Sequence, residues 1–303
     1  MRHLETLRFV DVIARAGSIR KAADTLAITS TALNRRLLAL EDELGVPIFE
    51  RLPRGVRLTA AGELLIDHIR TQISDLERVR SQIAQLAGER RGHVAIACSQ
   101  ALLPFFLPQQ ISRYRAQNPG VTFSVNLRDR EAAEAALIDH SVDLALVLEP
   151  VRVADIYTLY KVPQPISAVM SVDHPLAAKP KIRLHDCVPY PIALPNIRYG
   201  VRYLLEAAQM RVSYRLLPAV ESDSFEFLRN YAAVEHVITF QVPIGLPDAQ
   251  SDYSVPFCHR PVDGRDLPAA SLYLAQLKGR VLPVAAARFA EQMMREFARR
   301  FAV

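Results

Sequence analysis

Polar and basic side chains near residue 30 have the chemistry needed to read the edges of DNA bases. An arginine guanidinium can form two parallel hydrogen bonds to guanine, and an asparagine amide can pair in the same way with adenine. Asn34 and Arg35 supply these two groups. Arginines further along the chain suit phosphate contacts, which fix the position of a protein on the duplex. The predicted DNA contacts are Ser30, Thr31, Asn34, Arg35, Arg36, Arg51, Arg54 and Arg57.

Two short helices joined by a three-residue turn are expected to position these side chains. The predicted segments are helix Glu5–Ala16, helix Ser18–Leu26, turn Ala27–Thr29 and a third helix ending at Leu44. Thr29 or Ser30 caps the third helix, and Gly45 ends it. This arrangement predicts a helix-turn-helix, whose second helix directs its N-terminal residues toward base edges in the major groove.

Leucines spaced by three and four residues predict which side of the third helix faces the core. The leucines are Leu33, Leu37, Leu40 and Leu44. The opposite side then carries Thr31 and Arg35, with Asn34 at its edge.

Two further elements are predicted before residue 88. Gly55 permits a hairpin turn between short strands, which predicts a wing that carries arginines. A long helix is predicted from Thr59 to about Ala87. Its apolar stripe is nearly a heptad seam, so we expect it to pair with a second copy, the alternative being that it packs on its own domain. The stripe consists of Ile66, Ile69, Ile73, Leu76, Val79, Ile83 and Leu86.

The chain changes character after a polar, glycine-flanked linker at residues 88–92. Beyond the linker, short hydrophobic strands alternate with helices, which predicts a parallel sheet covered on both faces. A second set of strands begins near Ile166, and an amphipathic helix over Val284–Arg300 closes the chain.

Composition and motif searches argue against several classes of protein. The net charge of +5 permits an anionic partner without requiring one. The three cysteines and eight histidines lack metal-ligand spacing, and no signal peptide or bilayer-length apolar run is visible, so we expect a soluble cytoplasmic protein without a metal or cofactor. No metalloprotease, phosphate-loop, nucleophile-elbow or dinucleotide motif occurs, so we do not expect an enzyme.

Residues 1–65 resemble the DNA-binding domain of LysR-type transcriptional regulators. The matching positions include Phe9, Ala16-Gly17-Ser18, Ala22-Ala23, Leu26, Leu33, Arg35, Leu37, Leu40-Glu41, Leu44-Gly45, Phe49-Glu50-Arg51 and Leu58-Thr59-Ala60-Ala61-Gly62. Looser matches follow at Asn118-Pro119-Gly120-Val121, Asp143–Val147 and His174-Pro175-Leu176-Ala177. The chain departs from the family pattern at Ser30-Thr31, Asn34 and Leu38, and at Val234–Val237, where relatives usually carry a Gly-x-Gly-Ile stretch.

The resemblance implies an all-α winged helix-turn-helix, a long linker helix and an α/β effector-binding domain with two lobes, like periplasmic binding proteins. The implied boundaries are 1–58 for the DNA-binding domain, 59–88 for the linker helix and 92–303 for the effector domain. Lobe I would comprise 92–162 and 267–303, and lobe II would comprise 163–266.

In such a fold the ligand lies between the lobes, at the ends of strands and the starts of helices. The predicted effector contacts at these positions are Ser99, Gln100, Arg128, Glu149, Asn196, Arg198, Ser222 and Thr239. Hydroxyl, amide and helix N–H groups near Ser99 and Gln100 would suit a carboxylate, and an arginine would add charge recognition.

The sequence therefore predicts a transcriptional regulator that binds specific operator DNA and responds to a small-molecule effector. The family resemblance implies a homodimer or homotetramer, and RNA polymerase is a further candidate partner. The rival interpretation is a two-lobed small-molecule binding protein whose N-terminal helices serve only assembly. The exposed positions expected for Arg35 and Asn34 favour the regulator.

Overall fold

A computed structural model describes residues 2–86, 91–148, 153–197, 199–247 and 256–301. The chain divides into two compact units, Met1–Ala87 and Gly88–Val303.

Unit 1 consists of four helices and a two-stranded hairpin. The elements are α1 (Arg2–Ala16), α2 (Ile19–Thr25), α3 (Ser30–Leu44), β1 (Phe49–Leu52), β2 (Gly55–Leu58) and α4 (Ala60–Leu86). The Ser18 and Thr29 side chains cap α2 and α3 by accepting from the amides of Lys21 and Ala32. Gly45 ends α3 in the left-handed conformation, with φ of 71°.

The leucine face of α3 is buried as predicted for three of its four members. Leu33, Leu37 and Leu40 pack into one cluster with Ile13 of α1 and Ile69 of α4. The prediction for Leu44 is wrong, because its side chain is 44% exposed. Leu44 is the last residue of α3, and its side chain is not part of the cluster.

The wing hairpin is held against the helices by hydrogen bonds that its backbone amides donate. Glu41 Oε1 accepts hydrogen bonds from the amides of Ile48 and Phe49, at 2.7 and 3.1 Å, which fixes where β1 begins. The Val56 amide donates to the Gly17 carbonyl at 2.9 Å. Gly55 makes this approach possible, since it has φ of +132° and a Cβ there would lie 2.2 Å from the Gly17 carbonyl oxygen.

The apolar stripe of α4 is buried along its first half and exposed along its second. Ile66 and Ile69 are buried against unit 1, and Asp11 of α1 accepts from Arg70 at 2.9 Å. Ile83 and Leu86, further along, are 60% and 89% exposed.

Unit 2 begins with a first lobe built on a five-stranded mixed sheet. Its strands are β3 (Arg91–Cys98), β4 (Gly120–Leu127), β5 (Leu144–Val147), β6 (Ile156–Gln164) and β12 (Ala270–Leu277), in the order β4-β3-β5-β12-β6. β3 runs parallel to β4 and β5, whereas β12 is antiparallel to β5 and β6. The helices are α5 (Phe106–Gln117), α6 (Arg130–Ile138) and α9 (Val284–Phe301).

Both faces of this sheet are covered, which explains the unbroken hydrophobic run in β3. Ile96 lies in the same cluster as Phe106 of α5 and Phe289 of α9, while its neighbour Ala97 lies in a cluster with Leu137 of α6. Ile96 and Ala97 are both fully buried.

The second lobe contains two smaller sheets. Its strands are β7 (Ser167–Ser171), β8 (Ile192–Pro195), β9 (Pro218–Ser222), β10 (Thr239–Gln241) and β11 (Phe257–Pro261), and its helices are α7 (Gly200–Gln209) and α8 (Phe225–Val234). β10, β7 and β11 form an antiparallel sheet, and β8 pairs with β9 in parallel. A single bridge between Ile192 and Ile238 links the two sheets.

Within the five-stranded sheet, the expectation of parallel strands is therefore correct for β3, β4 and β5 and wrong for β12 and β6. The strand β6, which the sequence pattern did not predict, continues through Pro163 to Gln164. Pro163 is tolerated there because β6 is the edge strand of its sheet. The sequence pattern did not predict β11 either.

The segment that replaces the Gly-x-Gly-Ile stretch follows an ordinary path. Helix α8 ends at Val234, and Glu235 is extended. Among the described residues, only Ala27 and His140 combine a side chain with a positive φ, so no position between Val234 and Val237 requires glycine.

Two ion pairs fasten distant segments of unit 2. Arg280 and Asp143 are both nearly buried and lie 2.7 Å apart, and Asp143 also accepts from the Ala95 amide. In lobe II, Arg183 makes two hydrogen bonds of 2.7 Å to Asp266. The hydrogen bonds from Arg183 hold the pKa of Asp266 below its usual value.

The close approach of the wing predicts that Gly55→Ala destabilises unit 1. The clash with Gly17 and the disfavoured φ should together lower the free energy of unfolding by about 2 kcal/mol or more. Urea unfolding of the full chain, followed by far-ultraviolet circular dichroism, measures the change. Gly264→Ala is the control, since nothing lies within 4 Å of a Cβ there, and it should change stability by less than about 0.5 kcal/mol. Equal effects of the two variants would contradict the proposed constraint.

The lowered pKa of Asp266 predicts that lobe II loses stability in acid. A carboxylate with a lowered pKa in the folded state stabilises the fold above its unfolded pKa, and this contribution disappears as the pH falls through the folded pKa. The urea midpoint should therefore fall as the pH drops below about 4. Asp266→Asn should lower the midpoint at neutral pH and weaken its dependence on acid, whereas Asn at the exposed Asp173 should do neither.

Candidate functional site

The N-terminal half of α3 presents an exposed polar surface in unit 1. Ser30, Thr31 and Arg35 are all exposed, on the side opposite the buried leucines. Arg35 has no hydrogen bond or ion pair within the described part of the chain. Its guanidinium is therefore available to an external acceptor.

The wing is joined to this surface through Asn34. The Arg51 guanidinium donates to Asn34 Oδ1 at 2.9 Å, so the amide oxygen of Asn34 is engaged in the free protein. Within the described residues, the Asn34 amide nitrogen makes no hydrogen bond and remains a donor. A two-point contact of Asn34 with adenine, which needs both atoms, requires Arg51 to move away first.

Two other predicted DNA contacts also have intramolecular partners. The Arg36 guanidinium lies 4.6 Å from the centre of the Phe9 ring of α1, a cation–π contact that holds it beside the helix. Arg57 pairs with Glu50 across the wing, and this pairing raises the pKa of Arg57. Arg54, by contrast, is exposed in the turn between β1 and β2.

A cleft of about 200 Å³ separates the two lobes of unit 2. Lobe I contributes the residues that follow its parallel strands, including Ser99 after β3, Arg128 after β4 and Leu148 after β5. Lobe II contributes Tyr199, Gly200, Val201 and Phe225, at the starts of α7 and α8. The carboxyl ends of parallel strands thus face two helix N-termini.

The start of α7 offers backbone donors to the cleft. Tyr199 occupies the capping position but makes no side-chain capping bond. The amides of Gly200 and Val201 have no hydrogen-bond partner within the described ranges. These N–H groups, together with the partial positive charge of the helix terminus, favour an anionic ligand group.

Arg128 is the cation in the cleft with the fewest competing contacts. Its guanidinium makes one long hydrogen bond, of 3.4 Å, to the carbonyl of its own neighbour Leu127. Arg130 lies beside it but is paired with Glu131 and Glu134. Arg128 is therefore the better placed of the two to bind an anion.

Gln100 lines the cleft but already uses both ends of its amide. Nε2 donates to the Asp223 carbonyl at 2.7 Å, and Oε1 accepts from the Phe225 amide at 2.9 Å. The sequence predicts an effector contact for this side chain, whose two hydrogen-bond partners both belong to the opposite lobe.

Three other predicted effector contacts that the structure describes, Asn196, Ser222 and Thr239, are not among the residues that line the cleft. Thr239 is fully buried at the start of β10, where it lies opposite Val169 in the sheet, so its effector contact stays a prediction. Ser222 ends β9, where its carbonyl accepts from the Asn196 amide and its hydroxyl accepts from the Ser224 amide. Glu149 and Arg198 lie outside the described residues.

The sequence analysis missed two aromatic residues of the cleft. Tyr199 and Phe225 lie with their ring centres 5.1 Å apart. Tyr199 directly precedes Gly200, where α7 begins, and Phe225 directly follows Ser224, which caps α8. That placement was the available signal, because helix starts in this kind of fold face the ligand.

Two family models together match most of the chain. The model described as "Bacterial regulatory helix-turn-helix protein, lysR family" matches residues 4–63, and "LysR substrate binding domain" matches residues 87–298. The chain belongs to the LysR family of bacterial transcriptional regulators. This membership confirms the family, the fold class and the regulatory function expected from the sequence.

Curated relatives are regulators rather than enzymes. The HTH-type transcriptional activator CmpR of Synechocystis sp. is 29% identical over 194 residues, which span 64% of this chain and 64% of that protein. A probable nitrogen assimilation transcriptional activator of Synechococcus elongatus is 26% identical and covers 82% of this chain and 81% of its own length.

Solved structures share the fold of this LysR-family chain at low identity. Full-length OxyR from Pseudomonas aeruginosa aligns with a TM-score of 0.69 and 21% identity, over 97% of this chain and 94% of its own. CbnR in complex with its target DNA aligns with a TM-score of 0.60 and 16% identity, over 97% of this chain and 99% of its own. The effector binding domain of QuiR in complex with shikimate aligns with a TM-score of 0.56 and 17% identity, over 70% of this chain and 99% of its own.

The cysteines of this LysR-family chain are poor candidates for thiol chemistry. Cys98 and Cys187 are buried, and burial raises the pKa of each thiol to about 12. Burial also raises the pKa of Cys258. Within the described ranges no cluster of three or more His, Cys, Asp or Glu could hold a metal ion.

No helix in the described ranges is both long enough and apolar enough to cross a bilayer.

Proposed function

We propose that this LysR-family regulator reads operator DNA with the N-terminal half of α3 and holds the duplex backbone with its wing. The observation that carries the proposal is the exposure of Ser30, Thr31 and Arg35 on the side of α3 opposite the leucines. Arg35 would contact guanine, because its planar guanidinium matches two acceptors on that base. Arg36 and the arginines Arg51, Arg54 and Arg57 would contact phosphates.

Asn34 would join the readout only in the DNA complex. Its oxygen is held by Arg51 in the free protein. A phosphate near the wing would compete for Arg51, since a charged acceptor makes a stronger hydrogen bond than a neutral amide does. Binding to the backbone would thereby release Asn34 for adenine.

The cleft of unit 2 would bind a small effector that bears a carboxylate. Ser99, Arg128 and the two unpartnered amides of α7 supply hydroxyl, guanidinium and N–H donors, and Tyr199 and Phe225 supply an apolar wall. The volume of about 200 Å³ lies below the range of about 300–1,000 Å³ that suits drug-sized ligands, so the effector has few heavy atoms.

Self-association would use the exposed half of α4. Ile83 and Leu86 continue the apolar stripe past the point where unit 1 covers it. Burying such residues against a second copy removes apolar surface from water. We therefore propose a homodimer, or a homotetramer built from two such dimers, which acts in the cytoplasm where its DNA lies and has RNA polymerase as a candidate partner.

The effector must bind two states of the regulator unequally if it is to change transcription. We propose that occupancy of the cleft alters the arrangement of the assembled copies and hence the bending of operator DNA. A DNase footprint that is the same with and without saturating effector would contradict this coupling.

The readout by Arg35 predicts a difference between two substitutions. Arg35→Ala should weaken binding to the intergenic DNA upstream of its own gene by about 10–100-fold. Arg35→Lys should weaken binding nearly as much, because lysine keeps the charge but lacks the planar guanidinium that makes two hydrogen bonds. Gel shifts over a range of salt concentrations, with a scrambled duplex of equal length for comparison, measure both effects.

A matched control separates a base contact from general charge. Arg115→Ala removes an exposed arginine of unit 2 and should leave DNA affinity unchanged. If Arg35→Lys binds as tightly as the natural chain, Arg35 contacts phosphate rather than a base. If the natural chain shifts no DNA at any salt concentration, the DNA-reading proposal is wrong and the N-terminal helices serve assembly.

The chemistry of the cleft predicts a preference for carboxylates over neutral analogues. Thermal unfolding of the full chain with benzoate or succinate, compared with benzamide or succinamide, tests this preference. We expect the acids alone to raise the unfolding temperature, and Ser99→Ala or Arg128→Ala to weaken their binding about tenfold each. Arg115→Ala serves again as the unaffected control. Equal shifts by acids and amides would exclude the anionic site.

A further inference from the structure

A glutamine side chain crosses the cleft and joins the two lobes. Gln100 lies in the short 3-10 helix Gln100–Leu102 that follows β3 in lobe I. Its two bonds reach the Asp223 carbonyl and the Phe225 amide, which belong to lobe II and lie 123 and 125 residues further along the chain. The amide can be oriented in only one way, because the carbonyl needs a donor and the N–H needs an acceptor.

The two partners of Gln100 flank the residue that caps α8. Ser224 accepts from the Phe227 amide, while Gln100 satisfies the Phe225 amide, one of the free N–H groups at the start of the helix. A side chain of lobe I thus completes the N-terminus of a lobe II helix. Loss of this bond would leave that amide without its partner.

Neighbouring contacts concentrate at the same junction. The Tyr199 hydroxyl donates to the same Asp223 carbonyl at 2.9 Å, so the junction forms part of the cleft wall. Ala101, next to Gln100, approaches Gly245 so closely that a Cβ on Gly245 would lie 3.0 Å from the Ala101 carbonyl oxygen. The Arg229 guanidinium of α8 lies 5.2 Å from the centre of the Phe105 ring.

We infer that Gln100 is a latch that holds the two lobes together across the cleft in the absence of effector. This inference rests on the proposed sensing role of the cleft, and it assigns Gln100 to lobe spacing rather than to effector contact. An effector that binds Ser99, Arg128 and the α7 amides leaves the latch in place. The latch therefore limits the width of the cleft and selects small acids over bulky ones.

Hydrogen exchange of the full chain without any ligand tests the latch. Gln100→Leu keeps the size of the side chain and removes both bonds, and Gln100→Ala repeats the test with a smaller side chain. We expect the amides at the start of α8, those of Arg202 and Tyr203 in α7, and those of Leu102 and Leu103 to exchange about tenfold faster. The amides of β3 should not change.

The control is Gln109→Leu, an exposed glutamine of α5 that lies outside the cleft. It should leave all of these exchange rates unchanged. If only the Phe225 amide exchanges faster in the Gln100 variants, the bond is a local cap and the latch is wrong. Unchanged exchange at every position overturns it as well. Because neither DNA nor effector enters this experiment, its failure is distinguishable from failure of the proposed function.

Discussion

Burial of Leu33, Leu37 and Leu40 fixes the rotation of α3, and the surface of unit 1 depends on that rotation. Each of these side chains is at most 7% exposed, and exposing a buried leucine costs about 1.5–3 kcal/mol. Rotating α3 enough to turn Arg35 inward would expose all three. The same helix carries Glu41, whose carboxylate holds the first amides of the wing. The recognition surface and the wing are therefore positioned by one buried face.

Close backbone approach also constrains unit 1. The Val56 amide of the wing donates to the Gly17 carbonyl in the turn between α1 and α2, and Gly55 leaves room for this contact. A similar restriction applies to Gly62, where a Cβ would lie 2.1 Å from the Ile48 carbonyl oxygen. Both glycines let polar backbone groups lie closer than any side chain would allow. For Gly62, which lies in the matched Leu58–Gly62 segment, this is a physical reason for the glycine in the family pattern.

The backbone N–H groups at two helix starts organise the cleft of unit 2. A helix begins with N–H groups that have no partner in its own first turn. In α8 one of these groups is satisfied by Gln100 from the other lobe, whereas in α7 the amides of Gly200 and Val201 have no partner among the described residues. One helix start thus joins the lobes and the other offers donors to a ligand. The difference lies in whether a side chain from lobe I reaches the helix.

Local pattern alone determined much of this protein. Periodic hydrophobic residues, capping side chains and Gly45 located the helices of unit 1, and they placed Arg35 outward and Leu33 inward. Ser99 and Arg128 could be identified from the sequence as cleft-lining residues, because the residues that follow parallel strands gather at one edge of a sheet. Tertiary structure decided the partners that lie far apart in sequence. The engagement of Asn34 by Arg51, the exposure of Leu44 and the burial of Thr239 depend on where neighbouring elements end. Gln100 shows the reason most clearly: its type and position suggested a ligand contact, but a residue 123 positions away holds its amide. Sequence periodicity reports which side of an element is apolar, and it carries no information about which distant polar group folding brings within hydrogen-bonding distance.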